Sequence, residues 1–182
     1  MEDRRERILD ATVELAEKGG FENVRLREVA AVSGVALGTV YRHFRSKEDL
    51  LVGALSREME ALQRAIRRRP PRGETPLERA IGFFRAANRG VLSRPNFARA
   101  VIRALATGNP ELHEATASFH DDNTALIAEV IVGGAQTSER DQRVATVLQH
   151  VWFASLVGWT GGLHDQSGVL DRVQMAAEQL LG

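Results

Sequence analysis

The 182-residue chain carries 24 basic and 24 acidic side chains, 43% hydrophobic residues and no cysteine. That length buries one sizeable core, or one core with a small appended domain, and the missing thiol excludes disulfides, cysteine nucleophiles and cysteine-ligated zinc. No run approaches the roughly 18 apolar residues of a membrane-spanning helix, and the charged start MEDRRERILD has no signal-peptide core, so a cytoplasmic protein with no membrane partner is expected.

Apolar residues recur at helical spacing almost throughout, which predicts an all-α fold. Helix 1 is expected over 4–18, with Ile8, Leu9, Val13, Leu15 and Ala16 inward and Gly19-Gly20 as its stop. Helix 2 covers 26–33, Ser33-Gly34 breaks the chain, and a short helix 3 covers 37–44. Ser46 and Asp49 form an S-x-x-D capping box that opens a long helix 4, ended by Pro70-Pro71. Thr75-Pro76-Leu77-Glu78 opens helix 5, which runs to Leu92; helix 6 covers 96–106. Asn109-Pro110 caps a helix 7 reaching Val132, Ser138 and Asp141 cap helix 8 over 139–160, and helix 9 covers 168–181. The division expected is a three-helix domain over 1–46 and a larger helical body over 47–182.

The charges are unevenly placed. Residues 1–49 carry 9 basic and 10 acidic side chains, residues 50–105 carry 12 and 4, and residues 106–182 carry 3 and 10. The plain reading of this split is a basic middle packed beside an acidic end.

Helix 2, a glycine-containing turn and a short helix 3 have the proportions of a helix-turn-helix, whose second helix enters the major groove by its N-terminal end. Gly38 weakens that helix by about 1 kcal/mol but allows close approach of backbone to another surface. Leu37 and Thr39 beside it are candidate readers of base edges. Tyr41, the only tyrosine, with His43 and Lys47, suits phosphate contacts; Arg25 and Arg27 can clamp neighbouring backbone, and Arg42 can reach base or phosphate. Val40 and Phe44 share a face that fits the core. The same outline also fits an ordinary αα corner, and Glu14, Glu17, Glu22 and Glu28 have no place in the DNA-binding reading unless they face away from DNA.

The stretch RRERILDATVELAEKGGFENVRLREVAAVSGVALGTVYRHFRSKEDLL, residues 4–51, resembles the N-terminal DNA-binding domain of the TetR family of transcriptional regulators. The resemblance implies a nine-helix, all-α homodimer that is not an enzyme and needs no cofactor. Helices 1 to 3 would lie on double-stranded DNA with a palindromic operator, and the C-terminal body would bind a small-molecule effector that releases the DNA. By that resemblance Arg25, Leu37, Gly38, Thr39, Tyr41, Arg42, His43 and Lys47 match positions that touch DNA. RRERILDAT, VYRHFRSKEDLLVGALSRE and VWFASLVGW are similar to the KstR group of actinobacterial regulators of cholesterol and steroid catabolism, whose effectors are steroid or acyl-CoA thioesters.

An effector pocket in such a bundle lies between helices and is mostly apolar. Candidate lining residues are Phe83, Phe84, Ala87 and Val91 on helix 5, and Phe97, Val101 and Leu105 on helix 6. Helix 7 adds Phe119, Asn123 and Ile127, and helix 8 adds Trp152 and Ser155. All of these also fit an ordinary core. Asn123, Gln149 and His150 interrupt apolar helices and need partners if buried; Arg85, Arg89, Arg99 and Arg103 are candidate counter-ions for an anionic effector. The basic run Arg64, Arg67, Arg68, Arg69 and Arg72 reads as a solvated face. Helices 8 and 9 carry two apolar stripes, Val144, Val147, Val151, Leu156 and Trp159 with Leu170, Val173, Ala177 and Leu180, from which a dimer face can be built. The rival reading is a metal-dependent helical enzyme using His113, His120, Asp121 and Asp122.

Overall fold

The computed structural model describes residues 2–107 and 110–182, and these contain nine α-helices, one 3₁₀ turn and no strand. In chain order they are α1 (Glu2–Asn23), α2 (Leu26–Ser33), α3 (Leu37–His43), α4 (Lys47–Arg68), α5 (Pro76–Leu92) and α6 (Pro95–Ala106). The 3₁₀ turn Pro110–Leu112 follows, then α7 (His113–Val132), α8 (Glu139–Thr160) and α9 (Ser167–Leu181). The expected cap at Asn109 lies outside the described residues.

Helix boundaries follow the cap chemistry. Thr75 accepts a hydrogen bond from the Glu78 amide while Glu78 accepts from the Thr75 amide, and Ser138 and Asp141 make the same reciprocal pair. At α4 the pattern shifts by one residue. Ser46 Oγ accepts from the Asp49 amide at 3.1 Å, but the Asp49 carboxylate reaches past the cap to the Arg45 amide at 2.9 Å. Gly19 and Gly20 leave helical backbone as expected, Gly20 with φ of 67°, yet α1 resumes for one more turn through Asn23. Gly34, with φ of 64°, closes α2 in the left-handed conformation.

The helices gather into two compact units, residues 1–60 with 94–116, and residues 61–93 with 117–182. In the first, Ile8, Leu9, Ala16, Val24, Val29, Val40, Phe44 and Leu50 share one core with Phe97, Ala100, Val101 and Ala104 of α6. The compact unit around the three-helix segment therefore includes an element drawn from far along the chain. Its polar edge is tied as well. The Phe97 amide donates to the Glu17 carboxylate at 3.0 Å, and Asn96 Nδ2 donates to the Glu17 carbonyl at 2.9 Å, so α1 supplies an anion to the positive N-terminus of α6. Arg57 of α4 pairs with Asp10 at 2.7 Å and Glu6 at 3.2 Å of α1.

In the second unit α9 packs against both α5 and α8. Phe83 meets Phe84 edge to face at 5.2 Å between ring centroids, and Phe84 meets Trp152 at 6.0 Å. One arginine closes an end of this unit. Arg79 donates from Nε and Nη2 to the Ile131 carbonyl, at 3.1 and 2.8 Å, and from Nη1 to the Gly73 and Glu74 carbonyls at 3.1 and 3.2 Å. It thus supplies the final turn of α7 with a donor it cannot find within the helix. Arg79→Ala is expected to lower unfolding free energy by about 1.5–3 kcal/mol. Arg79→Lys is expected to recover less than half of that, because one ammonium cannot span three carbonyls. Urea denaturation measures both.

Candidate nucleic-acid interface

α2 and α3 are joined by a short turn and anchored from behind: Val29 and Val40 are fully buried, and Phe44 is nearly so. Leu37 and Leu26 are half-buried against the same core. Anchoring this face leaves the other side of α3 outward. Tyr41 is 55% exposed, Arg42 is exposed, and Thr39 and His43 are half-buried. Arg25 is the N-cap of α2 in extended backbone and caps nothing with its side chain, which leaves the guanidinium outward. The structure collects Arg25, Tyr41 and Lys47 around one open groove of about 490 Å³, completed by Val24, Leu26, Arg27 and Glu28. Of the two candidate base readers, Leu37 packs in part against the core and Thr39 is likewise half-buried.

Gly38 answers to no neighbour among the described residues. A Cβ built there meets nothing within 4 Å, and no positive φ demands glycine. Packing and backbone geometry among the described residues both leave the glycine unexplained, as they do Gly90 of α5.

Two acidic residues of the first helix are accounted for. Glu17 caps α6, as described. Glu22 pairs with Arg103 Nη2 at 2.8 Å and with Lys47 Nζ at 3.5 Å; Lys47 first, and Arg103 with it, hold its carboxyl below the ordinary value. Neither carboxylate is left as a lone negative charge near the groove.

The expected effector lining falls into two sets. Phe97 and Val101 belong to the core of the first unit, with Leu105 packed against it. Phe83, Phe84, Ala87, Asn123, Ile127, Trp152 and Ser155 are buried in the second unit, where Val91 and Phe119 are half-buried. The three polar interruptions separate sharply. Gln149 accepts from Thr124 Oγ1 at 2.9 Å and donates to His120 Nδ1 at 2.7 Å. His150 is exposed and bonds the Thr146 carbonyl at 2.7 Å. Asn123 is 1% exposed, and neither atom of its amide has a hydrogen-bond partner among the described residues.

The metal reading is corrected here. Among the described residues no three histidine or carboxylate side chains converge as a metal site. The Nδ1 of His120 is taken by Gln149, while His113, Asp121 and Asp122 are exposed. The stripes of α8 also separate: Val144, Leu148, Trp152, Leu156 and Trp159 are buried, whereas Val147, Phe153 and Val157 face outward with Leu163 and Met175, the last two 76% and 63% exposed.

A short recognition helix with an outward basic and hydroxyl-bearing face, anchored by a buried apolar face, defines a helix-turn-helix DNA-binding protein. Residues 8–54 match the model of the bacterial regulatory proteins of the tetR family, and residues 73–180 match the tetracyclin repressor-like C-terminal domain. The chain belongs to the TetR family of transcriptional regulators, which are not enzymes. It is 36% identical to the HTH-type transcriptional repressor KstR of Rhodococcus jostii over 184 residues, covering 99% of this chain and 84% of that protein. Identity to KstR of Mycobacterium tuberculosis is 32% over 180 residues, covering 99% and 81%. A TetR transcriptional regulator from Rhodococcus sp. RHA1 superposes with a TM-score of 0.86 at 26% identity, over 99% of this chain and 96% of its own. Thermus thermophilus FadR, solved in complex with lauroyl-CoA, superposes with a TM-score of 0.76 at 23% identity, over 97% and 92%.

Gly38→Ala separates folding from recognition. Its stability is expected to be unchanged or raised by up to about 1 kcal/mol. Its DNA affinity is expected to fall tenfold or more, since a methyl in a close-packed interface costs roughly 1–3 kcal/mol. Thermal melts and electrophoretic mobility shifts read the two quantities; undiminished DNA binding would remove the clearance role.

Proposed function

We propose that this regulator is a repressor that leaves a palindromic operator when a large, mainly apolar effector carrying a coenzyme A thioester binds its C-terminal body. In this reading residues 1–46 form the DNA-binding domain, joined at the DNA by Lys47, and residues 47–182 form the effector-binding and dimerisation domain. Arg25, Leu37, Gly38, Thr39, Tyr41, Arg42, His43 and Lys47 form the DNA face, with Thr39 reading a base and Tyr41 and Lys47 holding phosphates.

The observation that carries the effector reading is Asn123, whose buried amide lacks both a donor and an acceptor. Such a group costs about 1–3 kcal/mol in the unliganded chain, a cost that a ligand with a neutral polar group removes. The aromatic set Phe83, Phe84 and Trp152 in the same unit favours an apolar ligand body. Arg85 and Arg89, exposed on α5, suit an anionic end. The similarity to KstR supports the repressor reading, and the lauroyl-CoA in the structure of Thermus thermophilus FadR supports a thioester.

Selection of genomic fragments with the purified protein is expected to enrich a palindrome, and steroid-CoA or acyl-CoA thioesters are expected to release it. Enrichment without a palindrome, or release by cationic compounds alone, would overturn this function. Asn123→Leu is expected to stabilise the free protein by about 1–3 kcal/mol while weakening effector-driven release, as read by melting and by anisotropy of the labelled operator.

The outward residues Val147, Phe153 and Val157 of α8, with Leu163 and Met175, supply an uncovered apolar face that suits a second copy of the chain. Phe153→Asp is expected to shift the protein from dimer to monomer in sedimentation velocity and to lower operator affinity at least tenfold, because two linked reading heads bind far better than one.

A further inference from the structure

Phe21 and Glu22, just past the Gly19-Gly20 interruption, hold two cations from separate helices. The Phe21 ring has the Lys47 ammonium 3.9 Å and the Arg103 guanidinium 4.4 Å from its centroid. Glu22 divides its carboxylate between the same two groups, Oε1 to Arg103 and Oε2 to Lys47. Two positive charges therefore share one negative charge, and the cluster keeps a net charge of one. Lys47 lines the groove with Arg25 and Tyr41, whereas Arg103, on α6, does not. Without Arg103 the remaining pair is neutral, and the carboxylate competes directly with any phosphate for the ammonium. Ion pairs this close to solvent contribute little to folding.

We propose that Arg103 is a positioning residue for DNA binding: by occupying one oxygen of Glu22 across the Phe21 ring, it leaves the Lys47 ammonium available to a DNA phosphate. This rests on the phosphate role assigned above to Lys47. It ties the electrostatics of the reading face to a helix that does not itself line the groove.

The test is the salt dependence of binding of the intact chain to a labelled mixed-sequence duplex, followed by fluorescence anisotropy. Each phosphate contact adds about 0.9 to the slope of log K against log salt. Arg103→Gln is expected to reduce the slope by about that amount per reading head and to weaken binding roughly tenfold at low salt. Adding Glu22→Gln to Arg103→Gln is expected to restore both, and Lys47→Gln to reproduce the loss. An unchanged slope for Arg103→Gln, with a reduced one for Lys47→Gln, overturns the proposal and leaves the phosphate role of Lys47 standing. An unchanged slope for Lys47→Gln overturns both. A loss in Arg103→Gln that Glu22→Gln does not restore makes Arg103 a direct contact or a folding residue, and overturns the positioning role.

Discussion

Burial of Phe97, Ala100, Val101 and Ala104 of α6 in the core that α1 shares with α2, α3 and the start of α4 is the contact on which the reading segment depends. A segment of about 45 residues buries too little apolar surface to be secure by itself. α6 supplies the missing surface, and Glu17 seals the junction by giving the Phe97 amide an acceptor it lacks within its own helix. The orientation of α3 is thus set by Val40 and Phe44 against a core that α6 completes, and the outward placement of Tyr41 and Arg42 follows from that anchoring.

The same packing resolves an electrostatic difficulty. A segment such as residues 1–49, with 10 acidic and 9 basic side chains, is an unpromising partner for a polyanion. The structure shows that part of the balance lies with the basic middle of the chain. Arg57 is placed against Glu6 and Asp10, and Arg103 against Glu22. Arg67 pairs with Glu129 at 3.1 Å and so joins the basic middle to the acidic end in the way the charge split suggests. Arginines from residues 50–105 thus pair with carboxylates of the first helix, while the groove keeps Arg25, Arg27 and Lys47 against the single carboxylate of Glu28.

Local chemistry was legible where the chain announces it locally. α2, α5 and α8 occupy the spans read from their caps and breakers, because a capping box or a Ser-Gly break involves only neighbouring residues. The extra turn of α1 was not legible, since two glycines read as a stop whatever follows them. The partner of α6 was hidden for a different reason. Periodicity identifies an apolar face but not the surface it meets, so Phe97 and Val101 fit a ligand pocket as well as the ordinary core that the sequence favours for each of them. Glu17 and Glu22 were equally silent, because their partners lie 80 and 81 residues along the chain.

Asn123 and Gln149 show how far a sequence signal goes before geometry must take over. Both are amides on apolar helix faces, both are buried, and both pose the same demand for partners. Gln149 meets it inside the fold, since Thr124 donates to its oxygen and His120 accepts from its nitrogen. Asn123, one residue before Thr124, meets neither half of it. A pair of neighbouring amides differing only in this respect is hard to ascribe to a general tolerance for buried polarity, because the satisfied one demonstrates that this unit can supply partners. On the proposed function, the cost of leaving the other bare is offset when a polar group of the effector reaches it.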